Sequence, residues 1–136
     1  MEKHMKSGLI PKDKASLSAV ANAAFQAREF EIAASYFGQA AKVASDPELY
    51  RRQGSMLLSA GDYKGAVEAL NMSLINNEES EGKVHYALIE AYFYLGNYKA
   101  AMAAVQEAKK DSGIRKNALA WEPYIKTKAS NRGIRI

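Results

Sequence analysis

Gly61-Asp62-Tyr63-x2-Ala66-x3-Leu70-x2-Ser73 decides the reading of this chain, because two other stretches repeat its pattern. They are Arg28-Glu29-Phe30-x2-Ala33-x3-Phe37-x2-Ala40 and Gly96-Asn97-Tyr98-x2-Ala101-x3-Val105-x2-Ala108. Their first residues lie 33 and 35 positions apart, so each unit has about 34 residues, the length of a helix-turn-helix pair in a repeat array. A glycine ends one helix, an Asp or Asn opens the next, and small and apolar residues at helical spacing supply a buried face. The fold class this predicts is all-α, a right-handed solenoid of three helix hairpins plus a C-terminal capping helix.

Outward from Gly61, Asp46 is an N-cap and Pro47 a first-turn proline, which sets a helix from Pro47 to about Ala60. Asp62 caps a second helix from Tyr63 to about Ile75, and the polar run at 76–80 interrupts the pattern. The third unit copies this, with Ser80 as cap, a helix to Leu95, Gly96 as stop, Asn97 as cap, and a helix to about Lys110. In the first unit Asp13 caps Lys14 to Ala27, but Arg28-Glu29 replaces the Gly-Asp corner, so the turn must form without glycine's freedom. The segments are then an N-terminal extension at 1–13, hairpins at 14–46, 47–81 and 82–114, and a capping helix with a basic tail at 115–136. In that last helix Ala118, Trp121, Ile125 and Ala129 share a face, while Pro123 predicts either a kink near Glu122 or a start at about Trp121. Residues 2–7 read as one helical turn ended by Gly8. Ala33, Ala40, Ala41, Gly54, Ala66, Ala101 and Ala108 allow close helix approach, with Phe37, Tyr63, Leu70, Tyr92 and Tyr98 filling the core.

With 136 residues, 48% apolar and 25% charged, the chain suits one domain able to bury a core without staples. No stretch approaches the roughly 20 apolar residues of a membrane helix. Residues 1–14 hold four lysines and no apolar run of signal-peptide length, so a secretory signal, if used, lies upstream. Zero cysteines exclude disulfides, thiolate metal sites and a Cys nucleophile. The net charge of +4 is uneven: residues 15–108 carry seven basic against eleven acidic side chains, and residues 109–136 carry eight against two. The basic end comprises Lys109, Lys110, Arg115, Lys116, Lys126, Lys128, Arg132 and Arg135.

No reaction chemistry is legible. His4 and His85 stand in no ligand or base-nucleophile spacing, and His85 reads as a packing residue. Glu78-Glu79-Ser80-Glu81 lacks the ligand alternation of a calcium loop. No phosphate loop, catalytic triad order or zinc-protease string occurs. The expectation is a protein with no catalytic residues, metal or cofactor. A hairpin array instead offers a concave face made by the first helix of each pair. The side chains not spent on the core are Ser18, Asn22, Phe25 and Gln26, then Glu48, Arg51, Ser55 and Leu58, then Lys83, Tyr86, Glu90 and Phe93. Phe25, Leu58, Tyr86 and Phe93 are candidate apolar anchors for a peptide or helix, with Arg51 or Lys83 fixing its polarity. The alternative for Phe25 and Phe93 is packing between units.

These residues resemble the tetratricopeptide repeat. Its first-helix pattern stands here as Leu17-x2-Val20-Ala21-x2-Ala24, Tyr50-x2-Gln53-Gly54-x2-Leu57 and His85-x2-Leu88-Ile89-x2-Tyr92, over about Lys14 to Arg115. No tryptophan opens a unit, Gln53 replaces an apolar residue and Ser73 an alanine. The resemblance implies a protein-binding scaffold. Some members of that family grip a chaperone C-terminal carboxylate with lysines, asparagines and an arginine; here Asn22 matches, but Ser18 stands for a lysine and Arg52 for an asparagine, so that activity does not transfer.

A narrower likeness rests on Lys6 to Ile10, Asp13-Lys14, the corner at 27–34, Trp121-Glu122-Pro123-Tyr124-Ile125-Lys126 and Asn131 to Ile134. These resemble the C-terminal repeat domain of periplasmic proteins linked to TonB energy-transduction systems. That likeness implies TonB, ExbB or ExbD-type partners, a role in iron transport and a periplasmic location; the alternative location is cytoplasmic. A different function class is anionic-partner binding, to nucleic acid or lipid, through Lys126, Lys128, Arg132 and Arg135. The lack of aromatics interleaved with this run, beyond Trp121 and Tyr124, argues against nucleic acid. Nothing convincing caps the N-terminal side, which leaves self-association through an apolar face open and suggests a piece of a longer array.

Overall fold

The computed structural model describes residues 11–76 and 81–136, and all regular structure among them is helical. The expected turn at residues 2–7 and the cap at Ser80 lie outside the described residues. Contacts divide the chain into two compact units, residues 1–76 and 77–136, where length alone predicts one domain. The reason is that hairpin repeats pack on their sequence neighbours rather than around a common centre.

The first unit holds α1 (Lys14–Gln26), α2 (Phe30–Ala44), α3 (Pro47–Ser59) and α4 (Tyr63–Asn76), each packed on the next. Leu17, Ala21, Ala24, Ala33, Phe37, Ala40, Ala41, Leu49 and Tyr50 form its buried cluster. Small residues set the spacing. A Cβ on Gly38 would stand 2.4 Å from the Gln53 amide nitrogen, and one on Gly54 would stand 2.7 Å from Leu70 Cδ2. Gln53, the polar departure in the sequence, is therefore the side chain that α2 makes room for. Ser73, the other departure, is buried and donates its hydroxyl to the Pro47 carbonyl oxygen at 2.8 Å. An alanine there would leave that bond unmade.

The second unit holds α5 (Glu81–Tyr94), α6 (Tyr98–Ala108), α7 (Arg115–Leu119) and α8 (Trp121–Asn131). α5 pairs with α6, and α6 also packs on α7 and α8. The capping segment is not one helix: it breaks at Ala120, and α8 restarts at Trp121. Pro123 then falls in the first turn of α8, where its missing N–H has no intrahelical partner to lose. Ala118, Ile125 and Ala129 are fully buried, and Trp121 is half-buried.

The three corners share one hydrogen-bond pattern. Asp62 N–H donates to the Leu57 carbonyl at 2.9 Å, Asn97 N–H to Tyr92 at 2.9 Å and Glu29 N–H to Ala24 at 2.8 Å. Each closes the preceding helix in the manner of a Schellman cap, which places the intervening residue in the left-handed region. Gly61 and Gly96 take φ of 81° and 80° without steric cost. Arg28 takes φ of 60° at the same position, a conformation that costs a residue with a Cβ roughly 1–2 kcal/mol. The first corner thus keeps the geometry and bears the strain.

Candidate functional site

Within the first unit the candidate face is carried by α1 and α3. Asn22, Phe25 and Gln26 are exposed, and Arg51, Ser55 and Leu58 are half-buried. Phe25 is 47% exposed, its ring 6.3 Å from that of Phe30. Asp13 and Asp46 fix where these helices start, accepting from the backbone N–H of Ser16 at 2.8 Å and of Glu48 at 2.9 Å. Lys14 joins the two starts through an ion pair to Asp46 at 2.7 Å. That hydrogen bond, the largest influence, holds the Asp46 carboxyl below its usual range against a smaller opposing effect of burial. Ser18 is half-buried and its hydroxyl oxygen has no hydrogen-bond partner among the described residues.

Arg51 is already engaged. Its Nε and Nη2 bond the two Glu48 oxygens, the latter at 3.0 Å, and this pairing raises its pKa despite partial burial. The fork is therefore oriented on the α3 face by Glu48, and an incoming carboxylate must compete with Glu48 or share the guanidinium.

In the second unit Lys83 is exposed, and Tyr86 and Glu90 are half-buried. His85 is half-buried and contributes to holding the Glu107 carboxyl low, after the dominant hydrogen bond from Lys110. For Phe93 the structure shows the packing alternative and not the anchor. It occupies the register of Phe25 and Leu58, yet it is only 7% exposed. Its ring centroid lies 5.3 Å from Tyr94, 5.8 Å from Tyr98, and 5.4 Å from both Trp121 and Tyr124. Residues of α8 thus cover the position that Phe25 leaves open in α1, so Phe93 is a packing residue.

That cluster creates a surface the sequence reading missed. Tyr94, Ala120, Trp121 and Tyr124 line a cavity of about 270 Å³. Tyr94 is 53% exposed and Tyr124 59%. The aromatic residues were visible at 92–94 and 121–124, but nothing in their spacing joins segments so far apart. A second cavity of about 280 Å³ opens on the first hairpin between Val20, Ala23, Ala27, Ile32 and Tyr36. Among the described residues no group of three or more His, Asp or Glu side chains is placed to hold a metal ion. No described helix is long and apolar enough to cross a membrane.

The hairpins, their shared corners and their small-residue contacts define an all-α helix-hairpin repeat fold. Residues 19–81 match the family model of the tetratricopeptide repeat. Among solved structures, the Sgt2 TPR domain from Aspergillus fumigatus is similar in fold, with a TM-score of 0.72 at 22% identity, over 88% of this chain and 82% of that one. No curated protein sequence matches the chain.

Proposed function

We propose that this chain is a non-enzymatic interaction scaffold that holds a peptide or helix of a protein partner against the first-helix faces of its hairpins. The observation that carries this is Phe25, a large apolar side chain left open beside Asn22 and Gln26 on a rigid helix. Rigid helices present such anchors at low entropic cost, because the face is set before the partner arrives. Arg51, braced by Glu48 on α3 of the same unit, supplies an oriented donor fork. In the second unit, Lys83, Tyr86 and Glu90 hold the corresponding repeat positions on α5.

The partner class favoured by the sequence likeness at Trp121–Lys126 and Asn131–Ile134 is a TonB, ExbB or ExbD-type component in the periplasm. Purified full chain and a variant carrying Phe25→Ala, Arg51→Gln and Tyr86→Ala are compared in capture of those components by surface binding. The scaffold reading expects at least tenfold weaker capture by the variant with unchanged circular dichroism. Equal capture removes the first-helix faces as the site. Absence of binding to all three components removes the TonB assignment and leaves the scaffold reading to a proteome-wide capture with the same variant.

A further inference from the structure

We infer that the aromatic notch formed by the end of α5 and the start of α8 is a second binding site, different from the Phe25 and Arg51 face of the first unit, whose ligand is an acidic, proline-containing segment in extended conformation. The notch has the shape for this. Trp121 and Tyr124 meet at 70° with centroids 6.1 Å apart, and Phe93 braces both from behind. The two rings meet edge to face, and with Tyr94 and Ala120 they wall an apolar recess suited to a pyrrolidine ring. The cavity of about 270 Å³ between Tyr94, Ala120, Trp121 and Tyr124 has room for such a ring. Left-handed proline helices dock aromatic-lined slots of this kind because their backbone is already extended before binding.

The charge around the notch selects the flanking residues. Lys128 lies one turn beyond Tyr124 on α8, and Lys116 one turn before Ala120; both are exposed. Arg132 continues the stripe, its guanidinium 5.8 Å from the centre of the Tyr98 ring. The acid on α8, Glu122, is half-buried beside α6, 3.4 Å from the Gln106 amide. Glu90, one turn before Tyr94 on α5, is half-buried. Residues 109–136 carry eight basic against two acidic side chains. Carboxylates flanking the proline therefore meet a basic rim.

The chain contains one tryptophan, and it lines the notch, so its emission reports occupancy directly. The full chain is titrated with a blocked peptide of Glu-Pro-Pro repeats, with the same peptide bearing Ala for Pro, with one bearing Lys for Glu, and with oligothymidylate. Expected is a saturable change in Trp121 emission with the first peptide, and at least fivefold weaker binding of the other two peptides. Tyr94→Ala and Tyr124→Ala each weaken the first peptide at least fivefold, and Lys128→Glu does so with every ring kept. Phe25→Ala leaves it unchanged, which separates this site from the face of the first unit. No saturable change, equal affinity for the alanine peptide, or tighter binding of the oligonucleotide would overturn the inference. Because Tyr94 and Tyr124 are more than half exposed, circular dichroism should match the parent; if either variant unfolds, Lys128→Glu decides alone.

Discussion

Transplanting the Gly-Asp corner into the first hairpin, as Arg28→Gly with Glu29→Asp, should stabilise the protein by about 1–2 kcal/mol. Arg28 sits at φ of 60° where the other corners carry glycine. Relief of the left-handed strain recovers roughly 1–2 kcal/mol, from which about 0.5–1 kcal/mol is lost to glycine's freedom in the unfolded chain. Glu29 has φ and ψ of −94° and 74° and no side-chain cap bond, whereas Asn97, at −90° and 77°, accepts from Ala100 N–H at 3.1 Å. With the same backbone, the shorter carboxylate introduced by Glu29→Asp reaches the Ile32 N–H, and such a cap contributes about 1 kcal/mol. The two positions are adjacent, so both single variants must be measured beside the double. The converse change, Gly61→Ala, meets no atom within 4 Å of the new Cβ at φ of 81°, so its cost of about 1 kcal/mol is purely conformational. The assay is thermal unfolding by circular dichroism, where 1 kcal/mol corresponds to roughly 3–6 °C at this size. Amide exchange in α1 and α2 then locates the gain. A lower melting temperature for Arg28→Gly, or a neutral Gly61→Ala, would refute the strain account.

Gly54→Ala should destabilise by about 1–2 kcal/mol, because its methyl collides with fully buried Leu70 and overpacking outweighs the helix preference for alanine; Leu70→Val in the same chain should restore part of the loss. Ser73→Ala should cost about 1–2 kcal/mol by leaving the Pro47 carbonyl without its hydroxyl donor, measured by urea unfolding; no loss would show that water replaces the bond. Lys14→Met should move the Asp46 carboxyl titration upward in NMR, since Lys14 is the main cause of its lowered pKa. A carboxyl depressed in the folded state adds stability that is present above the ordinary carboxylate range and is lost as pH falls through the depressed value; an unmoved titration would remove the pair from that account.

The hairpins were legible because their signals are local. Asp13, Asp46 and Asn97 cap the helices they precede, and Gly61 and Gly96 take the left-handed turn the spacing demands. Helix ends differed by one or two residues, as expected where the last turn frays. Gln53 and Ser73, read only as departures, became intelligible once Gly38 and the Pro47 carbonyl stood opposite them. Among the candidate site residues, spacing left Phe25 and Phe93 with the same two alternatives, anchor or packing, because both hold the same register; burial separates them, at 47% and 7% exposed.

What the sequence determined by itself was the helix-hairpin repeat, because capping, turn conformation and apolar period act within a few residues of chain. What only the tertiary structure decided was which large apolar side chains stay exposed. Phe25 stays open, while Trp121 and Tyr124 close over Phe93 and, with Tyr94, form the notch. Exposure depends on segments that are distant in the chain and adjacent in space, and no local pattern records that adjacency.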